Sequence, residues 1–198
     1  MKKNFFVFFF LFSLLYPQAS FSYSSDPKQF ITEIVNEAKK ILVNTNTKEF
    51  KSIKLSEMAL KTVDIKGVAY YSIGNYKKLL KDGQLEEYLT LFEKYFLKSF
   101  TSRLTDYSDP KINVLSTEVL NEKYTIVKSV LLATDKRPEV KIEWRVYTKN
   151  PDKPLIRDLI IEGLSLARTQ KEEFASVIET NNGDISKLFI TLKEFIAK

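Results

Sequence analysis

At Lys111 the apolar residues of this chain change their spacing, and that change bounds the folds open to it. Upstream, apolar side chains recur every three or four residues, as on a helix face. Downstream they recur every second residue, as on a half-buried strand. Val140, Ile142, Trp144 and Val146 alternate with Lys141, Glu143, Arg145 and Tyr147. Val127, Ser129 and Leu131 alternate with Lys128 and Val130, and Ile112 and Val114 begin the run. Residues 155–166 read as a fourth strand, apolar on both faces, which leaves its inward set open. Turns are predicted at 135–138 and 150–154.

The helical part opens at Asp26-Pro27, an N-cap acid followed by Pro at the first helical position. Phe30, Ile34, Ala38 and Ile41 follow on one face, to about Asn44. Further helices are predicted over 48–63 and 64–73, the latter stopped by Gly74-Asn75. Asp82-Gly83 introduces a longer one carrying Tyr88, Phe92, Phe96 and Phe100 at four-residue spacing. Beyond the strands, Thr169 and Glu172 read as a capping box, with Phe174, Val177 and Ile178 inward. Asp184 reads as the cap of a last helix. Helices, then strands, then helices predict an α+β fold: a four-stranded twisted antiparallel sheet packed with several helices.

The front end carries a separate signal. Lys2 and Lys3 precede an apolar run from Phe5 to Phe12 that continues through Leu14 to Tyr16, then Pro17 and small residues. A short basic region, an apolar stretch too short to span a bilayer comfortably and a small-residue exit predict a secretory signal peptide. Ser20-Phe21-Ser22 places cleavage before Tyr23. The expected organisation is a signal peptide over 1–22 and a single domain over 23–198.

Composition excludes several chemistries. The chain has no histidine and no cysteine. Triads built on either are impossible, thiol chemistry is absent, and zinc sites without them are rare. The formal charge of +6 falls to +4 when Lys2 and Lys3 leave with the signal, since 1–22 holds no acid. The remaining basic residues are scattered, whereas nucleic-acid binding needs a concentrated stripe. No nucleic-acid partner, metal or cofactor is therefore expected.

Two blocks of the chain resemble a known family. The first is DIKGVAYYSIGNYKKLLKDGQLEEYLTLFEKYFLKSFTSRL over 64–104. The second is IEWRV at 142–146 with DLIIEGLSLARTQKEEFASVIETNNGDISKL at 158–188. A Gly-aromatic step (Gly74, Tyr76), an aromatic helix, a Trp-Arg strand, an Asp…Glu-Gly-x-Ser-Leu strand and a Gly-Asp-x-x-x-Leu finish occur in order. Together they resemble the MlaC-type periplasmic phospholipid-binding proteins, also called the toluene-tolerance family. The chain departs from the family pattern at Ile73, where Leu is usual, and at Pro154, where an aromatic is usual.

The resemblance implies a nuclear-transport-factor-like cone enclosing an apolar cavity. It implies a periplasmic carrier with phospholipid as cargo, passing lipid between an outer-membrane lipoprotein–porin complex and an inner-membrane ABC transporter. A monomer is expected. Each exposed methylene costs about 0.8 kcal/mol, so an acyl chain of about 16 carbons is worth on the order of 12 kcal/mol. No set of surface hydrogen bonds matches that, so tails must be buried while the headgroup can stay outside. Candidate lipid-lining residues are Val68, Tyr71, Phe92, Phe96, Val127, Leu131, Ile142, Trp144, Ile160 and Leu164. An inward core face and a tail-lining face have the same sequence pattern. The alternative is a small α+β enzyme using an Asp/Tyr pair on a hydrophobic substrate, with Asp158 and Glu162 as its acids; against it, Asp158 reads as a hydrogen-bonding group near a strand end. A third reading is an adaptor that binds only proteins.

Overall fold

A computed structural model describes residues 22–135 and 137–198, so the predicted signal peptide lies almost wholly outside the described residues. The first helix, α1 (Pro27–Val43), starts where the Asp26 carboxylate accepts from the Gln29 N–H at 2.8 Å. It buries Phe30, Ile31, Ile34, Val35 and Leu42. Helix α2 (Lys48–Thr62) is capped by Thr47, and α3 (Ile65–Ile73) by Asp64, whose carboxylate accepts from the Gly67 N–H at 2.9 Å. Gly74 ends α3 with φ of 52°, a conformation that costs glycine little. A 3-10 segment, Gly74–Leu79, follows; no periodicity marks it. Helix α4 (Gln84–Leu104) carries the aromatic face.

The strands form one antiparallel sheet in chain order: β1 (Ile112–Asn121), β2 (Tyr124–Leu131), β3 (Val140–Tyr147), β4 (Leu155–Ile161) and β5 (Leu164–Ser165). The predicted fourth strand is thus two. Glu162 and Gly163 take φ of 49° and 82°, and Ile161 pairs with Leu164 around them. Two consecutive positive-φ residues make the tight hairpin turn whose twist matches the flanking strands. The following helix, α5 (Leu166–Glu179), is capped by Ser165 rather than Thr169: the Ser165 hydroxyl accepts from the Arg168 N–H at 3.1 Å. The early turn brings Ser165 to the helix start, leaving Thr169 inside it, where its hydroxyl donates to the Ser165 carbonyl. Helix α6 (Ser186–Ala197) ends the chain, and the Asp184 carboxylate accepts from the Ser186 N–H at 2.9 Å.

Two cores result. In one, Phe30, Ile31 and Ile34 of α1 and Leu55 and Met58 of α2 pack on Val127, Val146 and Ile156 of the sheet. In the other, α3, α4, α5 and α6 enclose Ile73, Tyr88, Phe92, Phe174, Ile178, Leu188 and Leu192. Each such fully buried side chain contributes roughly 1.5–3 kcal/mol. The Tyr88 hydroxyl donates to the Ala69 carbonyl at 2.9 Å, satisfying the polar end of a fully buried ring. Helix α4 joins the cores: Phe96 packs with the helical one and Phe100 with the sheet one, their rings stacked at 5.9 Å. Among the described residues no helix is long and apolar enough to cross a membrane.

Candidate functional site

The register divides the sheet into two chemically distinct faces. Val127 lies opposite Trp144, which lies opposite Leu159; Ser129 lies opposite Ile142, which lies opposite Ile161. These residues share the face covered by α1 and α2. Toward β3 and β4 the cover thins. Val140, Trp144, Leu159 and Ile161 are only partly buried there; on α4, Phe100 at the sheet core and Phe96 at the helical core are partly buried too. The Trp144 indole N–H donates to the Ser129 hydroxyl at 2.8 Å, and that hydroxyl donates to the Ile142 carbonyl at 3.2 Å. The indole N–H and the hydroxyl are thereby both satisfied from within the sheet.

Of the sequence-predicted lining residues, Val127, Leu131, Ile142 and Trp144 come together on this face. Phe96 lies on α4 at the junction of the cores, and Phe92, one turn earlier, is sealed in the helical core. Ile160 pairs with Glu143 and so lies on the opposite face. Leu164 sits at the β4–β5 hairpin, 58% exposed. Val68 and Tyr71 line a separate cleft.

That cleft, about 350 Å³, lies on the opposite face of the sheet. Gly67, Val68 and Tyr71 of α3 and Ala167 of α5 form one side; Leu120, Asn121, Tyr124, Arg145, Arg157 and Asp158 form the other. Arg157 and Asp158 are consecutive, and in a regular strand they would point to opposite faces. Here Arg145 pairs with Asp158 while Val146 pairs with Ile156, so Arg157 is the extra residue of a β-bulge. The bulge turns both side chains to one cleft. A more open depression of about 510 Å³ on α1, lined by Asn36, Lys39, Lys40, Val43 and Asn44, joins no second element.

The charges of the cleft are bound unequally. Asp64 takes Arg157 at 2.6 and 2.7 Å, and Arg157 also donates to the Tyr124 hydroxyl at 2.8 Å and lies over the Tyr147 ring. Burial opposes charge on Arg157, but its bonds to Tyr124 and Asp64 outweigh that and hold its pKa above the ordinary value. Asp158 accepts from the Ala167 N–H at 2.9 Å and the Ser165 hydroxyl at 2.6 Å, and from Arg145 at 3.3 Å. Its carboxylate thus fastens the start of α5 to β4: the expected hydrogen-bonding role is there, but from the middle of β4 rather than near a strand end. Glu162 lies in the tight turn, where its carboxylate accepts from the Lys141 N–H. Among the described residues no group of acids or other ligands is placed to hold a metal ion.

Arg145, Arg157, Tyr124 and Leu120 are cleft residues that the sequence reading left out. Arg145 stood in the recognised IEWRV block; the bulges that bring in Arg157 and Leu120 have no sequence signature here.

Comparison with known proteins fits this architecture. The fold matches that of a phospholipid-binding protein from Ralstonia solanacearum, determined in complex with a phospholipid. The TM-score is 0.71 at 18% identity, over 88% of this chain and 97% of the other. The family model described as MlaC protein matches residues 29–194. With a match spanning the helices, the sheet and both helical ends, the chain belongs to the MlaC family.

Proposed function

We propose that this protein is a periplasmic phospholipid carrier, and that the acyl chains lie against the half-buried strip on the covered face of the sheet. The observation that carries the reading is that strip: Trp144, Leu159 and Ile161 stay only partly buried, as do Phe96 and Phe100 of α4, and Phe100 packs on the same core as Trp144. Its apolar character is what acyl chains need, and the Ralstonia solanacearum protein of the same fold is a phospholipid-binding protein. Leu131, Ile142, Trp144 and Phe96 are the proposed contact residues; Val127 and Phe92 support them from the cores.

The finer parts of the reading are also proposals. The protein is exported, cut before Tyr23, and works as a monomer. It passes lipid between an outer-membrane lipoprotein–porin complex and an inner-membrane ABC transporter. A cut before Tyr23 keeps the packed chain whole: the Tyr23 ring meets Phe30 edge-on at 5.8 Å and its hydroxyl bonds to Glu37. The carrier releases lipid unchanged, because Asp158 is committed to Ser165 and Ala167 rather than presented to a substrate.

Organic extraction of purified mature protein, followed by mass spectrometry, tests the reading. Intact phospholipid in near-stoichiometric amount is expected. Protein with no lipid, and none acquired from vesicles, would refute it. Lyso-lipid or free fatty acid formed on incubation, and abolished by Asp158→Asn, would favour the enzyme instead.

A further inference from the structure

The cleft on the face of the sheet opposite α1 and α2 has its own chemistry. Its formal charges cancel, two arginines against two aspartates, but their exposure does not. The Asp158 side chain is 2% exposed and the Asp64 side chain 18%, both turned into the walls. The Arg145 side chain lines the cleft, is 37% exposed and spends one N–H on Asp158, which leaves most of its donors for another acceptor. Lys171 adds a second cation at the edge, its ammonium 5.3 Å from the centre of the Tyr71 ring. Within the cleft itself the charge met from solvent is therefore positive, since Glu118 and Glu143 lie farther along that face beside Lys128 and do not line it. Around it stand two exposed apolar side chains from different elements, Tyr71 and Leu120, each 46% exposed. Leu120 is the extra residue of a bulge in β1, turned to the cleft by the same device as Arg157.

We propose that this cleft docks an acidic segment of a partner protein, with a carboxylate on Arg145 and a flanking apolar side chain between Tyr71 and Leu120. Charge complementarity selects an acidic partner. Arginine and tyrosine at the centre of a concave patch are the residue types that dominate protein interfaces. The cleft is at the small end of the roughly 300–1,000 Å³ typical of ligand pockets, which suits one or two side chains. The partner would meet the face opposite the proposed cargo strip, so docking and cargo binding are separable.

The probe is the acetylated, amidated peptide Leu-Glu-Asp-Leu, titrated into the mature protein while the Arg145 Nε–H and Tyr71 ring resonances are followed by NMR. Saturable shifts at both are expected, weakening about tenfold from low to high ionic strength. Arg145→Gln should abolish them and Leu120→Ser should weaken them, with co-purified phospholipid unchanged in both. Leu120→Ser leaves the Asp158 contacts untouched and carries the test if Arg145→Gln fails to fold. Absence of shifts in folded protein overturns the proposal. So do equal shifts with inorganic phosphate, which would mark a small-anion site, and Arg145-dependent binding to anionic vesicles, which would mark a membrane surface. Loss of lipid with peptide binding intact would count against the carrier reading alone.

Discussion

The Trp144 indole N–H is held by the Ser129 hydroxyl at 2.8 Å, from a position two residue pairs along the neighbouring strand. Trp144 is the only tryptophan of the chain, and it lies on the proposed tail-binding strip. Its emission is therefore a local reporter. Phospholipid with brominated acyl chains should quench it strongly on loading, whereas headgroup-labelled lipid should not. Unquenched emission from protein shown to hold brominated lipid would place the tails elsewhere.

The same bond has a measurable worth. Ser129→Ala leaves a part-buried indole donor without its partner and should cost about 1 kcal/mol, read from urea unfolding. A Ser129→Thr variant keeps the hydroxyl and should recover part of the loss. Equal stability of Ser129→Ala and the parent would mean that water already serves the indole.

Charge placed on the strip should expel cargo. Leu131→Asp and Ile142→Lys each put an unpaired charge on a buried face at a cost of several kcal/mol. Lipid per protein should fall in any such variant that still melts cooperatively. A folded variant with parental lipid content would show that this face is not the site.

Gly67 has a tight environment. A Cβ built there comes within 2.4 Å of the Asp64 carboxylate and 3.0 Å of the Arg157 guanidinium. Gly67→Ala should gain about 1 kcal/mol of helix propensity in isolation, yet lower the melting temperature by displacing Asp64 from both its cap and its ion pair. Asp64→Asn, which can keep the cap but loses the charge, should be destabilised less than Asp64→Ala. A more stable Gly67→Ala protein would show that Asp64 moves aside freely.

Burial pushes the Tyr88 phenol well above its ordinary value near 10. The unfolded chain then releases that proton at lower pH than the folded one, so stability falls as pH rises beyond about 10. Tyr88→Phe loses the bond to the Ala69 carbonyl and should be about 1 kcal/mol less stable at neutral pH. Its loss of stability between pH 10 and 12 should be the shallower of the two. Parallel stability profiles through that range would show that another group drives alkaline unfolding.

Much of this structure was legible beforehand because binary patterning dictates it. The alternation around Trp144 identified the sheet, the four-residue aromatic spacing identified α4, and Asp26-Pro27 marked the first helix start. Residues 155–166 failed because apolar side chains on both faces remove the alternation. The break then depended on Glu162 taking positive φ beside Gly163, which no apolar pattern reports. The candidate site divided in the same way. Leu131, Ile142 and Trp144 were found together because they share one period. Val68 and Tyr71 were set among them only because an inward helix face does not say which side of a sheet it meets. Arg157 and Leu120 were missed because a bulge reverses the face that residue parity assigns.

The clasp between Asp64 and Arg157 joins residues 93 positions apart in the chain. Loops of that length close slowly, since the entropy of bringing their ends together must be lost before any contact rewards it. A chain emerging from its amino end would present α1, α2 and the start of α3 long before β4 could reach them. Phe30, Ile31 and Met58 would stay open to solvent in that interval, with no strand to cover them. The most exposed interval for such a chain is thus the one before β4 joins, and closure of the Asp64–Arg157 clasp marks its end.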